Sequence, residues 1–162
     1  MRKVDQCLSP SLFFRVIRFF SIFRKSQRPK RRILLVDDEP VFTRLLKINL
    51  ERTGRYIVRE EQDATKALEA ASEFAPDLIL LDVVMPKIDG NRVAAKLRST
   101  SRFCKTPIIF LTAVISNYGS SQRQEIDGLP ALAKPVGLEA LVKAIEAAFK
   151  EELPVDRNEH PE

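Results

Sequence analysis

Five polar side chains carry most of the chemistry this sequence offers, and each stands directly after a short apolar run. Asp37 and Asp38 follow Ile33-Leu34-Leu35-Val36, and Asp82 follows Leu78-Ile79-Leu80-Leu81. Thr112 follows Ile108-Ile109-Phe110-Leu111, and Lys134 follows Ala131-Leu132-Ala133. If the runs are strands of one sheet, three carboxylates, one hydroxyl and one ammonium meet on a single rim. Crowded carboxylates repel one another unless a cation lies among them. A hard divalent ion answers that need, and Mg2+ favours a few carboxylates together with waters and phosphate oxygens. One carboxylate can then attack a phosphoryl group and form an acyl phosphate. The metal, the ammonium and the hydroxyl offset charge on the transferring oxygens.

The elements between these residues must place them. Ile33–Val36 reads as a buried strand. Glu39-Pro40 opens a helix, with Pro40 in the tolerated first turn. Leu45, Ile48 and their neighbours give that helix an apolar face, and Gly54 stops it. Tyr56-Ile57-Val58 is a second strand. Asp63 caps an alanine-rich helix from Ala64 to Phe74, which Pro76-Asp77 breaks. Leu78–Leu81 is apolar on consecutive positions, as in a strand covered on both faces. A loop from Val83 to Gly90 leads to a short helix near Arg92–Arg98, and Pro107 precedes the fourth strand. A weakly patterned helix is expected over 116–128, then a fifth strand at Ala131–Ala133. Leu138 to Phe149 is an amphipathic helix with Leu141, Val142, Ile145 and Phe149 on one side. Strand–helix alternation predicts an α/β fold: a five-stranded parallel sheet, doubly wound, with right-handed crossovers. In such sheets the functional groups collect beyond the carboxyl ends of the strands, where the five residues stand.

Singly, each residue has a plainer reading. The acid pair is a helix cap, Asp82 a turn residue, Lys134 a surface lysine, and Thr112 a β-branched residue packed for its shape. Their joint occurrence at successive strand ends favours the shared rim. Composition narrows the rest. His160 is the sole histidine, which disfavours histidine metal sites, bases and phosphodonors within the chain. Cys7 and Cys104 form neither a metal-spaced pair nor a disulfide framework, which fits a reducing cytoplasm, and Cys104 reads as a plain packing or surface residue.

Taken together, Ile33 to Pro40, Leu80-Leu81-Asp82-Val83-Val84-Met85-Pro86 with Asp89-Gly90, Leu111-Thr112-Ala113 and Lys134-Pro135 resemble the receiver domain of bacterial two-component response regulators, typified by the chemotaxis response regulator. The likeness covers roughly residues 31–150 and implies a flavodoxin-like sheet of strand order 2-1-3-4-5. It implies that Asp82 is the phosphoacceptor. It also implies that Asp37, Asp38, Asp82 and the backbone carbonyl of Val84 hold Mg2+, and that Thr112 and Lys134 bind the phosphoryl group. A cis Lys134-Pro135 bond and a turn at Asp89-Gly90 go with it. A histidine kinase or phosphotransfer protein would be the donor. The domain would be a switch, not an enzyme turning over a substrate.

Three features depart from the family pattern. The aromatic residue that usually stands three before the lysine, and relays phosphorylation outward, is here Ala131. Val84 and Val114 offer no polar side chain to orient water on the acyl phosphate, so self-dephosphorylation is expected to be slow. No output domain is expected after the receiver, and output is expected through protein–protein contact. The alternatives are a degenerate receiver that binds partners without phosphorylation and, more remotely, an aspartyl-nucleophile phosphate-ester hydrolase.

The charge is uneven. Residues 1–32 hold ten Lys/Arg against one acid, a balance of +9, so the chain's +5 leaves −4 for the remainder. Residues 1–30 form a basic extension, and 151–162 a polar tail expected to be disordered. At helical spacing, Leu12, Phe13, Val16, Ile17, Phe19, Phe20 and Phe23 share a face opposite Arg15, Arg18, Ser21 and Lys25, though Phe14 and Ile22 interrupt the polar side and Arg24 borders the apolar one. Residues 12–25 therefore read as an amphipathic helix. It would touch the inner membrane face, pack on the domain or dock on a partner, with a disordered leader as the plain alternative. Arginines interrupt it too often for a membrane span, and no cleavage pattern marks a signal peptide. Nucleic-acid contact through Arg28–Arg32 would be nonspecific and salt-dependent, so no specific nucleic-acid partner is expected.

Overall fold

The computed structural model describes residues 29–113 and 124–151. The elements run β1 (Arg31–Val36), α1 (Pro40–Arg52), β2 (Tyr56–Glu61), a 3-10 turn (Ala64–Lys66) leading into α2 (Ala67–Phe74), and β3 (Leu78–Asp82). They continue with α3 (Gly90–Ser99), β4 (Ile108–Thr112), β5 (Gln124–Ile126), β6 (Leu129–Ala133) and α4 (Leu138–Glu151). The sheet order is β2-β1-β3-β4-β6-β5. The first five of these are parallel to their neighbours, which gives the expected doubly wound order with β6 in fifth place.

The sixth strand departs from expectation. Gln124–Ile126 is an antiparallel edge strand on β6, not the end of a helix over 116–128. Residues 114–123, with the rest of that expected helix, lie outside the described residues. The cause of the hairpin is local. Asp127 (φ 50°) and Gly128 (φ 73°) both occupy the left-handed region. Positive φ at both central residues is what a two-residue type I′ turn requires, and its twist matches that of the flanking strands.

Successive residues of β1 feed opposite faces of the sheet, as a period of two dictates. Ile33 and Leu35 pack with Leu46 and Leu50 of α1 and with Leu141 and Ile145 of α4. Leu34 and Val36 pack with Ala67, Ala70 and Ala71 of α2 and with Val93 and Leu97 of α3. Helix α1 turns a different side inward from the one its sequence suggested. Leu45 and Ile48 are exposed, whereas Thr43, Leu46 and Leu50 are buried. The helix carries apolar residues on both sides, so periodicity alone does not say which side meets the sheet; Leu46 and Leu50, four apart, do. Asp63 caps the 3-10 turn by accepting from the Thr65 N–H, and the α-helix proper begins at Ala67. Ala131 is buried opposite Phe110 in the β4–β6 register, so the aromatic bulk of that layer sits on β4. Among the described residues, no helix is long and apolar enough to cross a membrane. Residues 12–25 lie outside them.

Candidate functional site

The parallel register brings the ends of β1, β3, β4 and β6 to one edge. Asp37 follows β1 and is fully buried. Asp82 ends β3 and Thr112 ends β4, both buried. The Lys134 N–H donates to the Thr112 carbonyl at 2.8 Å, which fixes the lysine beside the end of β4. The Lys134-Pro135 peptide is cis, as the family likeness implied. All five polar residues of the sequence reading therefore gather at this rim: Asp38, half-buried, adds its carboxylate to those of Asp37 and Asp82.

The three carboxylates place one oxygen each within 4.8 Å of the other two. The Lys134 ammonium reaches Asp37 Oδ2 at 2.7 Å and Asp82 Oδ2 at 3.2 Å. Asp37 Oδ1 accepts from the Glu39 N–H at 2.9 Å. Its buried Oδ2 has no hydrogen-bond partner. Its close contact with Lys134 is an ion pair, charge against charge. Asp82 Oδ1 receives a long bond from the Val84 N–H, 3.4 Å. The Val84 side chain itself is exposed on the rim.

These surroundings set the protonation tendencies. Burial pushes the Asp37 carboxyl above its ordinary range, against the pull of Lys134 and the Glu39 N–H. Burial also raises Asp82, and the charge on Asp37 adds to it, while Lys134 works the other way. Burial alone would lower the Lys134 ammonium, but its contacts with Asp37, Glu39 and Asp82 hold it above the usual lysine range. Three crowded carboxylates, two of them disfavoured by burial, are the surroundings a hard divalent cation relieves. Asp37, Asp38 and Asp82 thus suit Mg2+ by ligand chemistry.

The structure adds residues that the sequence reading passed over. Glu39 caps α1 through its position, and its Oε1 accepts from Lys134 Nζ at 3.0 Å. The Phe42 ring lies one turn on, its centroid 4.6 Å from the same ammonium. Their nearness to Lys134 spans the whole length of the domain in sequence; the available signal was their place in the first turn after the acid pair. Gly90 was read as part of a turn, but its role is close approach. Asp89 is the cap of α3, accepting from the Asn91 N–H at 2.8 Å. Gly90 begins the helix against the end of β3, and a Cβ there would stand 2.0 Å from the Asp82 carbonyl oxygen. Its N–H donates to the Val83 carbonyl at 2.9 Å. The lack of a side chain lets α3 brace the strand that carries Asp82. Lys87, in the left-handed region, ties the loop after β3 to Asp63 at 3.1 Å.

The chain is similar to known proteins. The family model described as "Response regulator receiver domain" matches residues 33–146. The DNA-binding dual master transcriptional regulator RpaA of Synechocystis sp. is 34% identical over 119 residues, covering 74% of this chain and 49% of that protein. The alkaline phosphatase synthesis transcriptional regulatory protein PhoP of Bacillus subtilis is 39% identical over 118 residues, 71% of this chain and 48% of that one. The chain thus spans about half the length of the curated relatives it matches. Among solved structures, the Vibrio cholerae chemotaxis protein CheY4 superposes with a TM-score of 0.63 at 28% identity, covering 74% of this chain and 98% of that one. The receiver domain of the Francisella response regulator 1452 gives 0.63 at 25% identity, covering 76% and all of the two chains, or 100% of the latter. By the family model's match over most of its length, and by its fold, the chain belongs to the response regulator receiver domain family.

Proposed function

We propose that the chain is a phosphorylation switch whose acceptor is Asp82, charged by a histidine kinase or a phosphotransfer protein. The receiver would span residues 31–150, with the basic extension 1–30 and the tail 151–162 outside the reaction. One observation carries the reading: a buried carboxylate at the end of β3 lies 3.2 Å from an ammonium that also touches Asp37 at 2.7 Å. An Asp82 oxygen attacks phosphorus, a new O–P bond forms, the N–P bond of a phosphohistidine breaks, and the imidazole leaves with a proton from solvent. Mg2+, when bound, neutralises the oxygens of the incoming group. Asp37 and Asp38, with Asp82 and the Val84 carbonyl, would hold it. Lys134 and the Thr112 hydroxyl would take phosphoryl oxygens. Phosphorylation then biases an equilibrium around Thr112, and the signal leaves by protein–protein contact. Val84 and Val114 lack polar atoms to aim a water, so the acyl phosphate would persist.

Incubation with radiolabelled acetyl phosphate tests this. Wild type should take up label that depends on Mg2+ and is released by hydroxylamine, and Asp82→Asn should take up none. Equal labelling of the two proteins would remove Asp82 from the role.

A further inference from the structure

Three carboxylate oxygens crowd the Lys134 ammonium. Asp37 Oδ2 stands at 2.7 Å, Glu39 Oε1 at 3.0 Å and Asp82 Oδ2 at 3.2 Å. The Phe42 ring closes a further side at 4.6 Å. A phosphoryl oxygen that pairs with this ammonium therefore competes with the occupants already around it. The three carboxylates are unequal candidates. Asp37 and Asp82 are buried, and releasing either from the cation would strand an anion away from water. The Glu39 side chain is 63% exposed, so water takes over its oxygen at little cost. Yet the Glu39 contact is the one aligned as a hydrogen bond, while Asp37 Oδ2 is left without such a bond despite its nearness.

We propose that Glu39 is a positioning residue that acts through Lys134: in the unphosphorylated protein its carboxylate occupies the ammonium N–H that a phosphoryl oxygen later takes. The exchange deepens the reading of Asp82 as phosphoacceptor and rests on it. Glu39 keeps the lysine drawn toward the first turn of α1, and its own negative charge stands where the donor's anionic group arrives. Uptake of a phosphoryl group therefore competes with the hold of one exposed side chain on the ammonium.

The test measures initial labelling rates of the full chain with acetyl phosphate and saturating Mg2+. Glu39→Gln should label about two- to fivefold faster than wild type, the range an exposed ion pair spans. Glu39→Asp keeps the charge but shortens the reach, and should be accelerated as well. In a Lys134→Met background, Glu39→Gln should change nothing. An unchanged or slower Glu39→Gln protein overturns the proposal. So does Glu39→Asp behaving as wild type, or equal acceleration with and without Lys134, since either result would reduce Glu39 to a long-range charge. The parent reading fails separately, and this inference with it, if wild type takes no label or if Asp82→Asn takes as much.

Discussion

Two regions of equal burial and opposite chemistry lie a residue or two apart in this domain. Beneath the rim, Ile33, Leu34, Leu35, Leu78, Ile79, Leu80 and Leu81 are entirely shielded from water, and their burial is favourable throughout. At the rim, Asp37 and Asp82 are as deeply placed, yet burial works against each of them. The difference shows that the rim does not hold itself together. Side chains that repel one another stay in register because the strands below them have no freedom to part. A site of this kind is built by the core and eased by what binds to it.

The contrast breaks most sharply from the core side. Leu80→Ala removes a side chain with no exposed surface and should lower the unfolding free energy by about 2–5 kcal/mol. Urea titration gives the value as a fall in midpoint at constant slope. A loss under about 1 kcal/mol would mean that the sheet collapses around the gap, and that the core is softer than its packing implies. Gly90→Ala attacks the seam between the regions. Its methyl group cannot coexist with the Asp82 carbonyl at 2.0 Å, so α3 must slide or β3 must bend. The expected loss is about 1–3 kcal/mol, the usual range for overpacking. Because the clash falls on the backbone of the acceptor strand, labelling by acetyl phosphate should drop out of proportion to stability. Loss of stability with labelling intact would show that the helix, and not the strand, yields.

These regions were not equally legible in the sequence. The rim could be read because a parallel sheet delivers the ends of its strands to one edge, so five residues far apart in the chain were constrained by topology alone. Burial at Asp37, Asp82 and Thr112 follows the same logic. Which side of α1 faces inward could not be read, since Leu45 and Leu46 are adjacent and equally apolar. The contacts of Glu39 and Phe42 with Lys134 depend on a three-dimensional neighbour ninety residues away, where the separation of Glu39 and Lys134 is 95. The edge hairpin had a signal that went unused: Asp127-Gly128 between Ile126 and Leu129 is a strong local mark of a two-residue turn.

The smallest effect sharpens the comparison from the rim. Asp82→Asn removes one of two carboxylates that burial disfavours. Its folded carboxyl titrates above the ordinary 3.8, so between that value and the raised one the native state binds more protons than the unfolded chain. Wild-type stability contributed by this group is therefore greatest in acid and declines as pH rises through the window, and Asp37 adds a decline of the same sign. Asp82→Asn should flatten its share of the decline and raise the urea midpoint at neutral pH in EDTA, by less than Leu80→Ala lowers it. Adding Mg2+ should raise the wild-type midpoint more than that of the variant, because a cation that binds the folded state stabilises it by mass action. Identical pH profiles for the two proteins in EDTA would mean that Lys134 already neutralises the rim, and the contrast between core and rim would then be one of shape, not of charge.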